Sequence, residues 1–332
     1  MCLFVITACT SKSESNQKNK SNAHGNDQPE EVRIGYQVIP NAELLAKQLG
    51  LVEAKFPDTK IKWIEFDSGR DVNTAMASGN LDFGLAGSVP TVTGISNNLP
   101  YQVYFIHDVI GAAESLAVKK EAGIKGISDL TGKKVAVPFG STAHFSLLMA
   151  LDDAGVKASD VVILDMQPQD IAVAWERGDI DGAFVWHPTL ASILESGGEI
   201  VVTAEQLAEK GIITADLGLV SKEFAKKYPK FVSEYVAVLD NAISNYRENP
   251  QKAAKALSET LSLTEDQVLS QMEGLIWLSY SEQLQTQYLG TAEQTGQFID
   301  VLESTGGFLK DQEVLTSSPS KELYKSAIFY AK

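Results

Sequence analysis

Apolar residues along this chain switch between two spacings. Short runs of branched and aromatic residues over 32–36 ("VRIGY"), 60–66 and 82–86 read as strands. Between them, 43–49 and 71–77 place apolar residues three and four apart, which predicts helices. The same order recurs farther on, with strands over 134–137, 161–164 and 180–185 and helices over 143–154 and 169–177. Strand and helix alternate, so the expected class is α/β with mostly parallel sheets. The two series are also in step. "AMASGNLDFGLAGSVP" and "AWERGDIDGAFVWHP" both read as a helix end, a capping glycine, an Asp and an apolar strand. Gly79 and Gly178, Asp82 and Asp181, and Asp71 and Asp170 are each 99 residues apart. A repeated offset predicts two lobes built on one βαβ plan. "GAAESLAVKK" and "ITADLGLVSKEF" are the two connections between them, and everything after Ser221 reads as amphipathic helix packed on the first lobe. The expected organisation is a leader and tether over 1–30, a first lobe of 31–113 with 217–332, and a second lobe of 114–216.

Composition narrows the partners. The chain has 332 residues, 44% hydrophobic and 21% charged, with a formal net charge of −15. That balance argues against nucleic acid, whose phosphates need basic patches. No apolar run reaches the length of a membrane-spanning helix. The only cysteines are Cys2 and Cys9, so the folded body has neither a disulfide nor a cysteine-based metal site. "ITAC" at 6–9 has the form of a lipobox, which makes Cys9 the expected lipidated residue after a truncated leader. The Ser/Lys/Asn/Gln-rich stretch behind it is too polar to fold and suits a tether. Read blandly, Cys9 is a stray thiol in a tail.

Ligands of parallel α/β sheets bind outside the carboxyl ends of the strands. Here those ends are Tyr36-Gln37 and Gly87-Ser88 in one lobe and Gly140–Thr142 and Trp186-His187 in the other. "VAVPFGSTAHFSLLMAL" runs from strand through Gly-Ser-Thr into helix, and so aims free N–H groups and a helix dipole at one point, a place for an anion. Glu114 and Asp216 are lone acids in apolar strand-like runs, one at each crossing between the lobes. Each could face solvent, but two buried at the crossings would call for an external cation. A short zwitterion with a strong-acid end and an amine end satisfies both requirements. His107 and His187 read as structural and as a surface-loop residue, and no His/Asp/Glu set has metal spacing.

"FDSG", "AMASGNLDFGLAGSVP", "KKVAVPFGSTAHFSLLMAL" and "AWERGDIDGAFVWHP" together resemble the substrate-binding proteins of taurine ABC transporters, close to those for aliphatic sulfonates. The resemblance runs from about residue 31 to the end and is densest over 66–188. It implies a type II periplasmic-binding-protein fold, two βαβ lobes around a ligand cleft with two crossover segments and a C-terminal helical extension. It implies taurine as ligand, ABC permease subunits as partners, no cofactor, no catalysis, a monomer, and an extracytoplasmic location held to the membrane only by the lipid at Cys9. By the same likeness, Ser141 and Thr142 would hold the sulfonate, with Ser88, Gln37 and His144 as further polar residues of the site. Trp186 would cover the ethylene carbons, and Glu114 and Asp216 would hold the ammonium. Val89, Gly140, Ala112-Ala113 and Gly218 depart from the family's pattern toward smaller or less polar residues. They leave open a larger aminosulfonate or an alkanesulfonate. An enzyme of the thiamine-pyrimidine type on the same fold is the reading of another class, for which the cleft offers no lysine.

Overall fold

The computed structural model describes residues 28–331. Cys9 and the tether before residue 28 lie outside them. Two sheets carry the fold. The first contains β1 (Glu31–Tyr36), β2 (Lys60–Glu65), β3 (Phe83–Gly87), β4 (Tyr101–Ile110), β10 (Ala215–Ser221) and β11 (Leu275–Ile276), in the order β11-β4-β10-β3-β1-β2. The second contains β5 (Glu114–Lys119), β6 (Lys134–Val137), β7 (Val162–Asp165), β8 (Gly182–Trp186) and β9 (Gly198–Thr203), in the order β7-β6-β8-β5-β9.

Each sheet has a parallel half, β2-β1-β3 in one and β7-β6-β8 in the other. The helices between these strands fall where the apolar spacing puts them, notably Gly69–Ala77, Thr142–Asp153 and Pro168–Arg177. The residues of the 99-residue offset explain themselves here. Asp82 accepts from the Arg33 backbone N–H at 2.8 Å and from its guanidinium, and Asp181 accepts from the Lys134 N–H at 2.8 Å. In each lobe the aspartate thus pins the start of the middle strand of the parallel half. Gly79 and Gly178 take φ of +70° and +77° as the preceding helices end, a conformation that favours glycine.

The expectation of mostly parallel sheets is corrected. β10 runs antiparallel to β3 and β4, and β5 antiparallel to β8 and β9. The reason is the crossing itself. A chain arriving from the other lobe enters each sheet at its cleft end, where the parallel strands finish. It must then run opposite to them. Glu114, the first residue of β5, therefore faces Trp186, the last of β8; Asp216, at the start of β10, faces Gly87, the last of β3. Gly87 and Trp186 are themselves 99 apart. The return crossing is complete by Ala215, just ahead of the boundary expected after 216, because Asp216 is already paired in the first sheet.

Both faces of the first sheet are covered by the chain after Ser221. Val232 and Leu239 of helix Pro229–Glu248 and Leu257 of helix Pro250–Leu261 join Val32, Ile34 and Phe83 in one core. Ile299 and Leu302 of helix Phe298–Asp311 join Val72, Val92 and Leu217 in the other. Each such side chain, fully buried, contributes about 1.5–3 kcal/mol relative to exposure. This tail is not wholly helical as expected. Leu275 and Ile276 form β11 on the edge of β4, and the Gly274 carbonyl approaches so close that a Cβ at Gly111 would sit 2.6 Å from it.

Candidate ligand-binding site

A cavity lies between the sheets at the strand ends that the crossings share. Gln37, Glu114, Ser141, Thr142, Trp186 and Asp216 all line it, together with Gly87, Ile110, Ala113, His187 and Leu275. Six of the eight expected ligand residues therefore meet in one place; Ser88 and His144 do not line it.

Two helices begin on the cavity wall, one from each lobe. Helix Thr142–Asp153 starts at Ser141, whose hydroxyl accepts from the His144 N–H at 3.1 Å and donates to the Pro138 carbonyl at 2.6 Å. That hydroxyl is committed to its own turn. What the turn offers an anion is the first-turn N–H groups, which have no partner inside a helix. Helix Ser88–Ser96 starts at Gly87, across the cleft. A Cβ on Gly87 would lie 2.7 Å from the Thr142 methyl, so glycine is what lets the lobes meet here. Ser88 is buried, and its hydroxyl accepts from the Ala215 N–H at 3.4 Å, tying this helix to the return crossing. His144 stacks on Phe139, with ring centres 4.5 Å apart, and takes a hydrogen bond from the Gly140 N–H. Burial lowers its pKa to about 4, so it is a neutral brace of the turn. The Gln37 amide donates to the Leu85 carbonyl at 3.1 Å, which fixes the side chain against β3.

The cavity also carries acids. Glu114 is buried, and its Oε2 accepts from the Thr142 hydroxyl at 2.6 Å, while Oε1 has no partner among the described residues. Burial raises its carboxyl to about 8, against the Thr142 hydrogen bond and with help from the Asp216 charge. Asp216, half-buried, is likewise held up by burial. Among the described residues no lysine or arginine lines the cavity. Among the described residues no group of three or more His, Cys, Asp or Glu could hold a metal ion.

His187 corrects its reading as a surface-loop residue: it lines the cavity, and burial lowers its pKa to about 4. Of the departures from the family's pattern, only Ala113 reaches the cavity; the space beside Gly218 is filled by the Tyr104 ring, 2.7 Å from a Cβ there. One acid was missed. Asp108 on β4 is fully buried and is the cross-strand partner of Asp216. The signal was present, since "YFIHDVI" is an apolar run holding a lone acid, as are the runs around Glu114 and Asp216.

At the cleft mouth the starts of the two equivalent helices, with the residues just before them, touch. Arg70 pairs with Asp165 at 2.9 Å, Gln169 donates to Asp67 at 2.6 Å, and Gln167 donates to Ser68 at 3.3 Å. Ser68 and Gln167 are again 99 apart, so equivalent points of the two lobes meet.

The family described as NMT1/THI5 like matches residues 58–253. The taurine-binding periplasmic protein of Escherichia coli (strain K12) is 36% identical, over 85% of this chain and 86% of its own. Among solved structures, the alkanesulfonate-binding protein SsuA from Xanthomonas axonopodis pv. citri, bound to MOPS, superposes with a TM-score of 0.77. It is 25% identical and covers 92% of this chain and 99% of its own. The desulfurization enzyme DSZB shares the fold, with a TM-score of 0.63 at 15% identity over 89% of this chain and 96% of its own. Matched over more than half its length, and with a relative at 36% identity, this chain belongs to the NMT1/THI5-like family.

Proposed function

We propose that this chain is the extracytoplasmic substrate-binding component of an ABC importer and that it captures taurine. One observation carries the reading. A single cavity holds two helix N-termini from opposite lobes and, among the described residues, a buried carboxyl with an unpartnered oxygen and no lysine or arginine to neutralise it. Such a site favours a molecule with an anionic head and an ammonium tail. The sulfonate sits at the N-termini above Thr142, Trp186 covers the two carbons, and Glu114 and Asp216 receive the ammonium. The name of the 36% identical relative supports the same ligand. The protein performs no chemistry; a monomer closes on its ligand and presents it to permease subunits. Cys9 is the proposed point of lipid attachment to the membrane.

An alkanesulfonate is the second reading. It is favoured by the apolar wall of Ile110, Ala113 and Leu275, and by the alkanesulfonate-binding relative. Calorimetry of the full chain with taurine, propanesulfonate and ethanolamine separates the two. Taurine binding with both controls failing is the expected result. Propanesulfonate binding as tightly as taurine overturns the ammonium site, and binding of none of the three overturns the sulfonate assignment.

A further inference from the structure

The ammonium side of the site contains two acids more than the ligand's one positive charge can balance. Asp108 lies directly opposite Asp216 on the neighbouring strand, and residues so placed have Cβ atoms about 4.5–5.5 Å apart, within reach of a hydrogen bond between their carboxyls. The ladder shifts register immediately after Asp216, an irregularity of the kind that re-aims a side chain. Asp108 is fully buried, and neither of its oxygens has a partner among the described residues. It does not line the cavity, whereas Asp216 and Glu114 do. The charges acting on it come from Asp216 on β10 and Glu114 on β5. β11, on the other side of β4, brings Leu275 and Ile276, and helix Ser88–Ser96 has no ionisable residue. His107, its neighbour on β4, is buried and neutral, its pKa lowered to about 3. Among the described residues no cation pairs with Asp108.

The charge balance then decides its state. One ammonium against Glu114 and Asp216 leaves a net charge of minus one at that end of the site, before the sulfonate is counted. A third ionised carboxyl would double it, and adjacent buried carboxyls do not both ionise. We propose that Asp108 is a positioning residue that works as a neutral acid: it donates a hydrogen bond to Asp216 and holds that carboxylate ionised and aimed at the ligand's amine. The inference rests on the aminosulfonate reading and deepens it, because it assigns the ammonium subsite a proton donor as well as two acceptors.

The test uses the full chain and taurine. Asparagine at 108 keeps a donor of the same shape, so D108N should bind within about threefold of the wild type. D108A removes the donor and should lose about tenfold or more, and D216N, which removes the acceptor charge itself, about a hundredfold. A pH series separates positioning from mere packing. In the wild type, affinity falls at alkaline pH both because taurine's amine loses its proton and because Asp108 loses its own; in D108N only the first loss remains. The proposal is overturned if D108N loses as much as D216N, which would make Asp108 an ionised ligand. It is also overturned if D108A binds like the wild type, or if the alkaline limbs of wild type and D108N coincide. Should D108A fail to fold, D108N and the pH series still decide. Equal affinity of the wild type for propanesulfonate and taurine is a different failure: it removes the ammonium reading, and this inference with it.

Discussion

Thr142 and Glu114 are joined by a 2.6 Å hydrogen bond, from the hydroxyl to Oε2. Thr142 opens a helix whose N-terminus lines the cavity, and in the proposed binding mode Glu114 is the carboxyl that receives the ammonium. In the proposed binding mode this bond ties the residue at the sulfonate's helix to the residue that receives the ammonium, within one lobe. Replacing Thr142 by valine leaves Oε2 without its donor at a cost of about 1–3 kcal/mol, so taurine affinity should fall roughly tenfold to a hundredfold. Serine keeps the hydroxyl and should retain most of it. Calorimetry on T142V and T142S checks both, and a loss in T142S without one in T142V would mean that the methyl, not the hydroxyl, matters.

Glu114 also sets a pH dependence. Its carboxyl is raised from 4.5 to about 8, chiefly by burial. The folded state therefore holds a proton that the unfolded chain has released. That contribution to stability is fully present below about pH 4.5 and is lost as pH rises through about 8. Glu43, raised to about 8 in the core beside Tyr235, adds a slope of the same sign. The melting temperature of the ligand-free protein should fall across this window. The stabilisation given by taurine should grow across it, because the ammonium favours the ionised carboxylate. Thermal melts with and without taurine measure both trends. E114Q should flatten the second and leave the share of Glu43 in the first; a taurine shift independent of pH would exclude Glu114 as the amine's partner.

Gly87 should matter for closure rather than for folding. An alanine there would put its Cβ 2.7 Å from the Thr142 methyl and 3.6 Å from Asp216 Oδ1. Overpacking of this kind costs about 1–3 kcal/mol, and the clash exists only when the lobes are together. G87A should therefore weaken taurine binding by about tenfold or more while the ligand-free melting temperature stays nearly unchanged. A matching drop in melting temperature would place the strain in the first lobe instead.

The contacts at the mouth predict a kinetic effect. Arg70 and Asp165 are each close to half exposed, so their pair is worth about 0.2–1 kcal/mol. R70A should speed taurine release by roughly twofold to fivefold with little change in the rate of binding, and high salt should shrink the difference. Stopped-flow release rates for R70A, D165N and the double variant test this. Additive effects of the two substitutions would show that the pair does not act as a latch.

Local pattern carries the features that neighbours in sequence decide. The strand–helix order of each lobe, the capping glycines Gly79 and Gly178, and the helix start at Ser141 are all legible from spacing and turn chemistry. Glu114 and Asp216 stand out because a lone acid in an apolar run is anomalous wherever the run ends up. Asp108 obeys the same rule, and was overlooked beside a histidine in the same run. What the local pattern does not carry is competition for partners. Ser141 has the residue type for an anion contact, but the Pro138 carbonyl and the His144 N–H occupy its hydroxyl. His144 has the chemistry of a ligand residue, but its ring is stacked on Phe139.

The sequence by itself therefore determined two α/β lobes on one plan, a helix N-terminus waiting for an anion, and acids at both crossings. Periodicity, capping and the cost of burying charge act over a few residues and leave their mark there. Only the tertiary structure decided that the crossing strands run antiparallel, that Asp108 stands opposite Asp216, that Leu275 arrives from the far end of the chain to line the cavity, and that Gly87 meets Thr142 across the cleft. These are pairings between segments distant in sequence. Register and close approach between such segments are set by how whole sheets fit together, and no single stretch of chain records that fit.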